Sequence, residues 1–320
     1  MKDKPLASIS LDLDNLWSYL KIHGDQGWED YPSYFQIFIP HVLDVLDELD
    51  LKITFFIVGQ DAALTNNRPY LQMITQRGHE VGNHSFHHES WLHLYSREKL
   101  SEELEKAEAA IQQATGQKPQ GFRGPGFSWN QELLEILYDM GYHYDASTLP
   151  SYIGPIARKY YFWTSNLSKE EKKERGNLFG SFSDGFRRLK PYYHSLGKGK
   201  KLLEIPVTTI PVVKIPFHLS YLLYLAGISM PLMRAYLWFA ISMCKITMTP
   251  PSFLLHPLDL IGGDKISQLK FFPGMNIHSD KKNRVFKTVI RYLKKNYTLV
   301  PMNTWYQHHH QSAKITVSTG

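Results

Sequence analysis

Short patterns typical of β-strands recur along the chain, and helical patterns lie between many of them. The strand patterns cover residues 6–11, 52–58, 79–83, 121–123, 142–145, 202–207, 252–256 and 297–301. The clearest helical pattern runs from Ser96, a suitable N-cap, to Ala114, and Gly116 supplies its end. A strand followed by a helix, repeated many times, predicts parallel β/α units, which build either a closed barrel or an open doubly wound sheet.

Charged and titratable residues follow several predicted strands at the point where each strand ends. They are Asp12, Asp14, His84, Arg123, Asp145 and His256. In a closed barrel the carboxyl ends of the strands converge on one mouth, whereas an open sheet spreads them apart. The sequence therefore predicts an α/β fold, a distorted (β/α) barrel of about seven or eight strands, as a single domain over residues 1–305 with a polar tail at 306–320.

Two segments interrupt the repeat. Residues 151–201 are basic and aromatic and are expected to form an insertion that includes a charged helix at 169–175. Residues 217–245 are strongly apolar, but Pro231 and Arg234 break the run before it reaches the roughly 20 residues that span a bilayer. This second segment predicts one or two helices, either packed on the barrel or lying in a lipid headgroup layer.

The formal net charge of +6 conceals an uneven distribution. Residues 1–150 contain 11 Lys and Arg against 22 Asp and Glu, whereas residues 151–320 contain 25 against 8. No zinc-finger, RNP-like or helix-turn-helix pattern accompanies the basic half, so no nucleic-acid partner is expected. An anionic membrane surface or a phosphate-bearing substrate would suit this charge, and ordinary solvated lysines are the alternative.

The cysteine content and the first residues bear on location. Cys244 is the one cysteine of the chain, so the fold does not depend on an intrachain disulfide. The first strand pattern begins near Leu6, which leaves no room for the apolar segment of a secretory signal. We therefore expect a cytoplasmic protein, either free or peripheral at the inner face of the membrane.

Two short patterns predict a metal site. Asp12 and Asp14 are two residues apart, so in an extended strand both carboxylates face one side, where a cation would relieve their repulsion. His84 and His88 are four apart, a spacing that brings two imidazoles together on a helical turn. One carboxylate and two imidazoles leave positions open for water and substrate, as a catalytic divalent metal requires.

Three more patterns follow in order along the chain. They are Arg123-Gly124-Pro125, Asp145-Ala146-Ser147 and Leu254-Leu255-His256-Pro257. Together with the Asp and His patterns, they resemble the polysaccharide deacetylases, the NodB-homology group similar to carbohydrate esterase family 4. The resemblance extends from Leu6 to about Pro301, and it implies the distorted barrel of that group.

The resemblance also implies the metal ligands and the base. Asp14, His84 and His88 match the family's metal triad. Asp12 matches the carboxylate that takes a proton from the attacking water, and Arg123 matches the arginine that orients this base. The metal implied is one divalent ion, zinc first, with Co²⁺, Mn²⁺ or Ni²⁺ as alternatives.

The same resemblance implies a proton donor and an acyl pocket. His256 matches the histidine that protonates the departing amine, and Asp145 matches the carboxylate that tunes it. Leu255 matches the apolar neighbour of the acyl group, and Pro125 and Phe127 belong to the pattern that forms the pocket wall. Substrate-pocket residues are therefore expected at these three positions.

The chain departs from the common family pattern in two places. Leu13 separates the two aspartates and Asn15 replaces the usual glycine, so an exchange of roles between Asp12 and Asp14 stays open. Gly126 replaces the aromatic residue after the proline, and Phe127 follows it, so the pocket wall should differ.

The function that the resemblance implies is removal of an N-acyl group, N-acetyl first, from an amino sugar in surface-glycan synthesis. The expected partner is an N-acylated sugar or glycan, free or linked to a lipid carrier, with peripheral membrane contact through 217–245. A deformylase or cyclic-imide hydrolase on the same scaffold is an alternative, because the fold does not choose the acyl group. An inactive glycan-binding or membrane-docking protein is an alternative of another class.

Overall fold

The computed structural model describes residues 4–154 and 182–318 of the chain, with side chains described up to residue 310. Within these ranges nine strands form one sheet. The strands are β1 (Leu6–Leu13), β2 (Thr54–Ile57), β3 (Glu80–Asn83), β4 (Gly121–Phe122), β5 (Tyr144–Asp145), β6 (Tyr192–Ser195), β7 (Lys201–Glu204), β8 (Ser252–Leu255) and β9 (Thr298–Val300). Their order across the sheet is β6-β7-β5-β4-β3-β2-β1-β8, and β9 pairs with β1.

Helices follow most of the strands. They are α1 (Leu16–His23), α2 (Phe35–Glu48), α3 (Gly59–Ala63), α4 (Arg68–Gln76), α5 (Arg97–Thr115), α6 (Gln131–Asp139), α7 (Leu219–Ile228), α8 (Met230–Ile246), α9 (Ser279–Asn296) and α10 (Met302–Ser318). The first turn of α10 packs Met302 and Trp305 into the barrel interior, so the segment predicted as a polar tail begins inside a helix.

The sheet curls until its two ends meet. Every ladder is parallel except that of β6 with β7. The extended chain after β7 bonds to the β5 side, where Ile205 N donates to Asp145 O at 2.8 Å. Thr208 N then donates to Ser252 O of β8 at 3.0 Å. This segment closes the sheet into the distorted (β/α) barrel that the sequence predicts.

Strand β1 explains how the barrel separates a polar interior from an apolar outer layer. Ala7, Ile9, Leu11 and Leu13 belong to the large core that the helices cover. Ser8, Ser10 and Asp12 alternate with them and face the opposite side, because successive side chains of a strand point to opposite faces. The ends of the strands therefore present polar groups on the interior side.

The predicted strands are all present, and one more was not predicted. The eight patterns correspond to every strand of the described residues except β6, which lies inside the 151–201 insertion and pairs with β7. Gly197 and Gly199 adopt left-handed backbone conformations in the turn between these two strands. The predicted charged helix at 169–175 lies outside the described residues.

The helix predicted from Ser96 to Ala114 is confirmed as α5. Ser96 caps it by accepting from Lys99 N at 3.4 Å, and Gly116 ends it in a left-handed conformation with φ of 76°. Its apolar stripe is fully buried and consists of Leu100, Leu104, Ala107 and Ile111. Helix and core agree here because capping, stop signal and hydrophobic period all point to the same boundaries.

The apolar segment at 217–245 forms two helices, α7 and α8, that pack against each other. Ser229 lies between them and caps α8. Across residues 4–154 and 182–318, we find no helix with both the length and the apolar character needed to cross a bilayer.

Candidate active site

Asp14, His84 and His88 meet at the mouth of the barrel. Their ligand atoms all lie within 4.8 Å of one another, and all three residues are buried. The Oδ1 atom of Asp14 is 2.9 Å from His88 Nε2 and 3.6 Å from His84 Nε2. The two imidazole rings lie 5.1 Å apart between centroids. The structure thus brings together the three residues predicted to hold a metal.

The loop that carries the two histidines is not the helical turn that their spacing predicts. Ser85 and His88 both have left-handed backbones, with φ of 62° and 56°. The carboxylate of Glu103, on α5, accepts from the backbone N of Phe86 and of His87, at 2.9 and 2.7 Å. This anchoring folds the loop so that His84 and His88 converge, whereas His87 turns outward to pair with Glu103 at 2.7 Å.

The protonation of the cluster suits a divalent cation. Burial alone raises the pKa of Asp14, but His88 and His84 outweigh it and lower the pKa to about 2. Burial lowers the pKa of His84, which keeps this imidazole neutral. Its Nδ1 lies 2.6 Å from the carbonyl oxygen of Arg123 and donates to it, so Nε2 offers its lone pair toward Asp14.

Two buried atoms of the cluster, Asp14 Oδ1 and His88 Nδ1, have no hydrogen-bond partner of good geometry within the described residues. A buried anionic oxygen such as Asp14 Oδ1 is costly unless a cation or a donor satisfies it. An ionised carboxylate and two neutral imidazoles are the donor set of a catalytic zinc site, so these residues fit the metal that the resemblance implies.

Asp12 is held by a buried arginine. Arg123 Nη1 donates to Asp12 Oδ1 at 2.7 Å and to Ser10 Oγ at 2.8 Å, and its Nε donates to the carbonyl oxygen of Ala146 at 3.0 Å. The guanidinium stacks over the Phe56 ring at 4.4 Å. The arginine therefore fixes one carboxylate oxygen of Asp12, as the predicted orienting role requires.

The carboxylate beside His256 is Asp259, which sequence reasoning missed. Its Oδ2 lies 3.8 Å from His256 Nδ1 and accepts from the His256 backbone N at 2.9 Å. Ser220 Oγ donates to the other oxygen at 2.7 Å. Burial alone lowers the pKa of His256, but Asp259, with Asp12 and Asp14, outweighs it and raises the pKa to about 9. The spacing in His256-Pro257-Leu258-Asp259 was the available signal.

The predicted pairing of Asp145 with His256 is therefore corrected. Asp145 is aligned with Phe122 of β4 and Glu204 of β7. Residues aligned across neighbouring strands point to the same face, and Phe122 packs in the outer layer with α5 and α6. Asp145 therefore lies on the outer face of the sheet, whereas Arg123 and Asp12 lie on the interior face.

Asp145 supports the arginine loop from that outer face. It accepts from Ser147 Oγ at 2.6 Å, and Ser147 Oγ accepts from Gly124 N at 2.8 Å. Asp145, His194 and Glu204 also form a second group whose ligand atoms lie within 4.8 Å. Burial and the charge of Glu204 raise the pKa of Asp145 well above its usual value. Two buried carboxyl groups this close favour retention of one proton between them over two negative charges.

A cavity of about 910 Å³ opens over the cluster of Asp14, His84 and His88. Its walls include Asp12, Asp14, His84, His88 and His256. Among the three predicted pocket residues, Phe127 lines this cavity. Leu255 instead packs in the outer core, because it is aligned with Leu11 and points to the same face. Pro125 is buried at the start of a single turn, so the prediction for these two residues is corrected.

Further cavity walls come from segments whose role the sequence did not reveal. Helix α7 contributes Leu223, Tyr224, Gly227 and Ile228. Lys282, a buried residue of α9, donates to the carbonyl oxygens of Leu258 and Ile261 at 2.5 and 2.9 Å. This lysine holds the loop that carries Asp259, and nothing in its helical pattern sets it apart from a surface lysine.

Comparison with known proteins finds a match to one family over part of the chain. Residues 25–144 match the family model described as polysaccharide deacetylase. The matched stretch contains His84, His88 and Arg123. These findings support the polysaccharide deacetylase family for this chain, through a match that covers residues 25–144.

Two curated deacetylases illustrate the similarity. The chain is 26% identical over 156 residues to a peptidoglycan deacetylase from Helicobacter pylori, which covers 47% of this chain and 51% of that protein. It is 35% identical over 117 residues to a chitooligosaccharide deacetylase from Sinorhizobium fredii, which covers 36% of this chain and 51% of that protein. The chain thus spans about half the length of these relatives.

A solved structure extends the comparison of the fold to nearly the whole chain. A protein from Mycobacterium smegmatis, assigned to the polysaccharide deacetylases, superposes with a TM-score of 0.62. The alignment covers 98% of this chain and 92% of that one at 18% identity. At this identity the likeness supports the distorted barrel of the deacetylase family and nothing about substrate.

Proposed function

We propose that this protein is a metal-dependent hydrolase that removes an N-acyl group from an amino sugar during surface-glycan synthesis. The leading candidate for this group is N-acetyl. The observation that carries the proposal is the convergence of Asp14, His84 and His88 in one cavity that Asp12 and His256 also line. Amide hydrolysis needs an activated water, a stabilised oxyanion and a proton for the leaving nitrogen. This cavity holds a group for each task.

Asp14, His84 and His88 would hold the divalent metal, zinc first, with Co²⁺, Mn²⁺ or Ni²⁺ as alternatives. The metal would activate the attacking water and stabilise the negative charge that develops on the carbonyl oxygen. His84, kept neutral by burial, and the ionised Asp14 need no further deprotonation to act as ligands.

The protein's own residues would move the protons. Asp12, with one oxygen fixed by Arg123, accepts the proton of the attacking water through its other oxygen. His256, protonated at neutral pH because its pKa is raised to about 9, gives a proton to the departing nitrogen. The presence of both groups in one cavity favours an active hydrolase over an inactive glycan-binding protein.

The cavity also bears on how the sugar is presented. Leu223, Tyr224 and Ile228 of α7 form an apolar wall, and the exposed Lys270 adds a positive charge that suits a phosphate. These features support an amino sugar linked through phosphate to a lipid carrier. The reaction would then take place at the cytoplasmic face of the membrane, the leaflet whose anionic lipids attract basic proteins.

The test is a hydrolysis assay on soluble substrates with the purified protein, stripped of metal and reloaded with one ion at a time. We expect acetate release, with a new primary amine, from an N-acetylated chito-oligosaccharide. Asp14→Asn should lose this activity with every ion. A formylated amino sugar tested in parallel would reveal a deformylase. Absence of acetate release with all four ions, or full activity of Asp14→Asn, would overturn the proposal.

A further inference from the structure

Helix α8 exposes large apolar residues on the side that faces away from the barrel. Its inner face buries Met233, Leu237, Ala240, Ile241 and Cys244 in the core. Its outer face exposes Leu232 at 44%, Trp238 at 60% and Phe239 at 41%. An ordinary surface helix carries polar side chains there, so α8 is apolar on two opposite faces.

Helix α7, which precedes α8, adds exposed apolar residues at the active-site cavity. Tyr224 is 71% exposed and Ile228 is 63% exposed, and both also line the catalytic cavity. Only Ser229 separates Ile228 from the first turn of α8. We call the surface formed by Tyr224, Ile228, Leu232, Trp238 and Phe239 the docking face. Single exposed apolar residues are common, but five large ones on two consecutive helices indicate an interaction surface.

The segment that carries the docking face has basic residues and no acidic ones. No Asp or Glu occurs in the sequence between Glu204 and Asp259. Arg234 and Lys245 are both exposed on α8, beside the apolar face. Long basic side chains next to aromatic and aliphatic residues are typical of a helix that lies in a headgroup layer, because their stems stay in the apolar region while their charges reach phosphates.

We infer that the docking face binds the surface of an anionic lipid bilayer and holds the mouth of the active site against it. Aromatic and aliphatic residues enter the headgroup layer, and Arg234 and Lys245 contact lipid phosphates. The inference deepens the proposed function, since it supplies a reason for a lipid-linked substrate, but the binding itself does not depend on catalysis. A surface made for a second copy of this chain would not require a segment free of acidic residues.

The experiment compares vesicle binding of the full chain and of two matched variants. The wild type should co-sediment with phosphatidylglycerol vesicles at low salt, bind phosphatidylcholine vesicles at least roughly tenfold more weakly, and lose most of its binding at high salt. Trp238→Ser combined with Phe239→Ser should weaken binding to the anionic vesicles by roughly tenfold or more. Tyr193→Ser, which removes a half-exposed aromatic residue from β6, is the control and should bind like the wild type.

Two further measurements keep the outcomes separate. Acetate release from a soluble oligosaccharide should be equal in the wild type and both variants, because the substituted residues lie outside the cavity. A protein that releases no acetate but still binds vesicles would contradict the proposed function and leave the docking inference standing. Equal vesicle binding by the double variant, or none by the wild type, would overturn the docking inference. The inference would also be overturned if the wild type were a dimer, the double variant were a monomer, and neither bound vesicles.

Discussion

Asp259 receives the backbone N–H of His256 on the same carboxylate oxygen, Oδ2, that faces the imidazole. Asp259 thus binds the backbone of His256 and also stabilises the positive charge on its imidazole. Because Ser220 donates to Oδ1, the carboxylate is fixed at both ends. This arrangement makes His256 a proton donor at neutral pH, and it places control of that proton three residues away along the same loop.

Removing the charge of Asp259 should change the pH dependence of hydrolysis. The pKa of His256 is raised to about 9, mainly by Asp259 against the effect of burial. In Asp259→Asn this pKa falls, so protonated His256 is lost at a lower pH and the alkaline limb of the kcat/KM profile moves down by roughly one pH unit or more. Asp145→Asn should leave that limb in place. An alkaline limb that stays fixed in Asp259→Asn would refute the assignment.

Substitutions in the histidine loop should separate metal ligands from their neighbour. His84→Ala and His88→Ala each remove one of three ligands, so metal measured by elemental analysis should fall well below one ion per chain. His87→Ala is the matched control, because His87 turns away and pairs with Glu103. Its metal content should equal that of the wild type. Full metal occupancy in the His84→Ala, His88→Ala double variant would exclude this site.

The barrel could be predicted from the sequence because local signals and the global fold agree. The β1 pattern alternates Ser8, Ser10 and Asp12 with apolar residues. In the structure the apolar residues pack in the outer core and the polar ones face the barrel interior. The coming together of Asp12 and Arg123 could also be expected, since each follows or ends a strand whose carboxyl end faces the mouth.

What sequence alone did not reveal depends on register and on loop conformation. A short strand such as β5 has two residues, and nothing in its sequence states whether Asp145 faces the interior or the outer layer. The left-handed backbones of Ser85 and His88 are stabilised by Glu103, a residue of another element. Contacts of this kind appear only once the elements are packed.

The variants Asp12→Asn and Asp14→Asn should lose different properties. Asp12→Asn keeps the three metal ligands but removes the proton acceptor, so turnover should fall by roughly 10²-fold or more while metal content stays unchanged. Asp14→Asn should lose metal first and activity with it. The comparison needs elemental analysis and acetate release on the same preparations. Loss of metal in Asp12→Asn with retention in Asp14→Asn would exchange the two roles.

The buried carboxyl pair on the outer face should make stability depend on pH in a defined direction. Burial raises the pKa of Glu204 from its ordinary value of 4.5 to about 7 in the folded protein. The folded state therefore binds a proton more tightly than the unfolded state, so the free energy of unfolding is highest below pH 4.5 as far as this group is concerned. It decreases as pH rises toward 7.

Glu204→Gln tests this directly, because an amide can bond to Asp145 without needing that proton. The variant should show a smaller loss of urea stability between pH 5 and 8 than the wild type, measured with the metal site intact in both. Arg77→Gln, which breaks exposed ion pairs with Asp44 and Asp47, serves as a surface control and should retain the wild-type slope over this interval. A wild-type slope in Glu204→Gln would mean that Asp145 and Glu204 do not share a proton, and chelator-sensitive stability would then point to a cation between them.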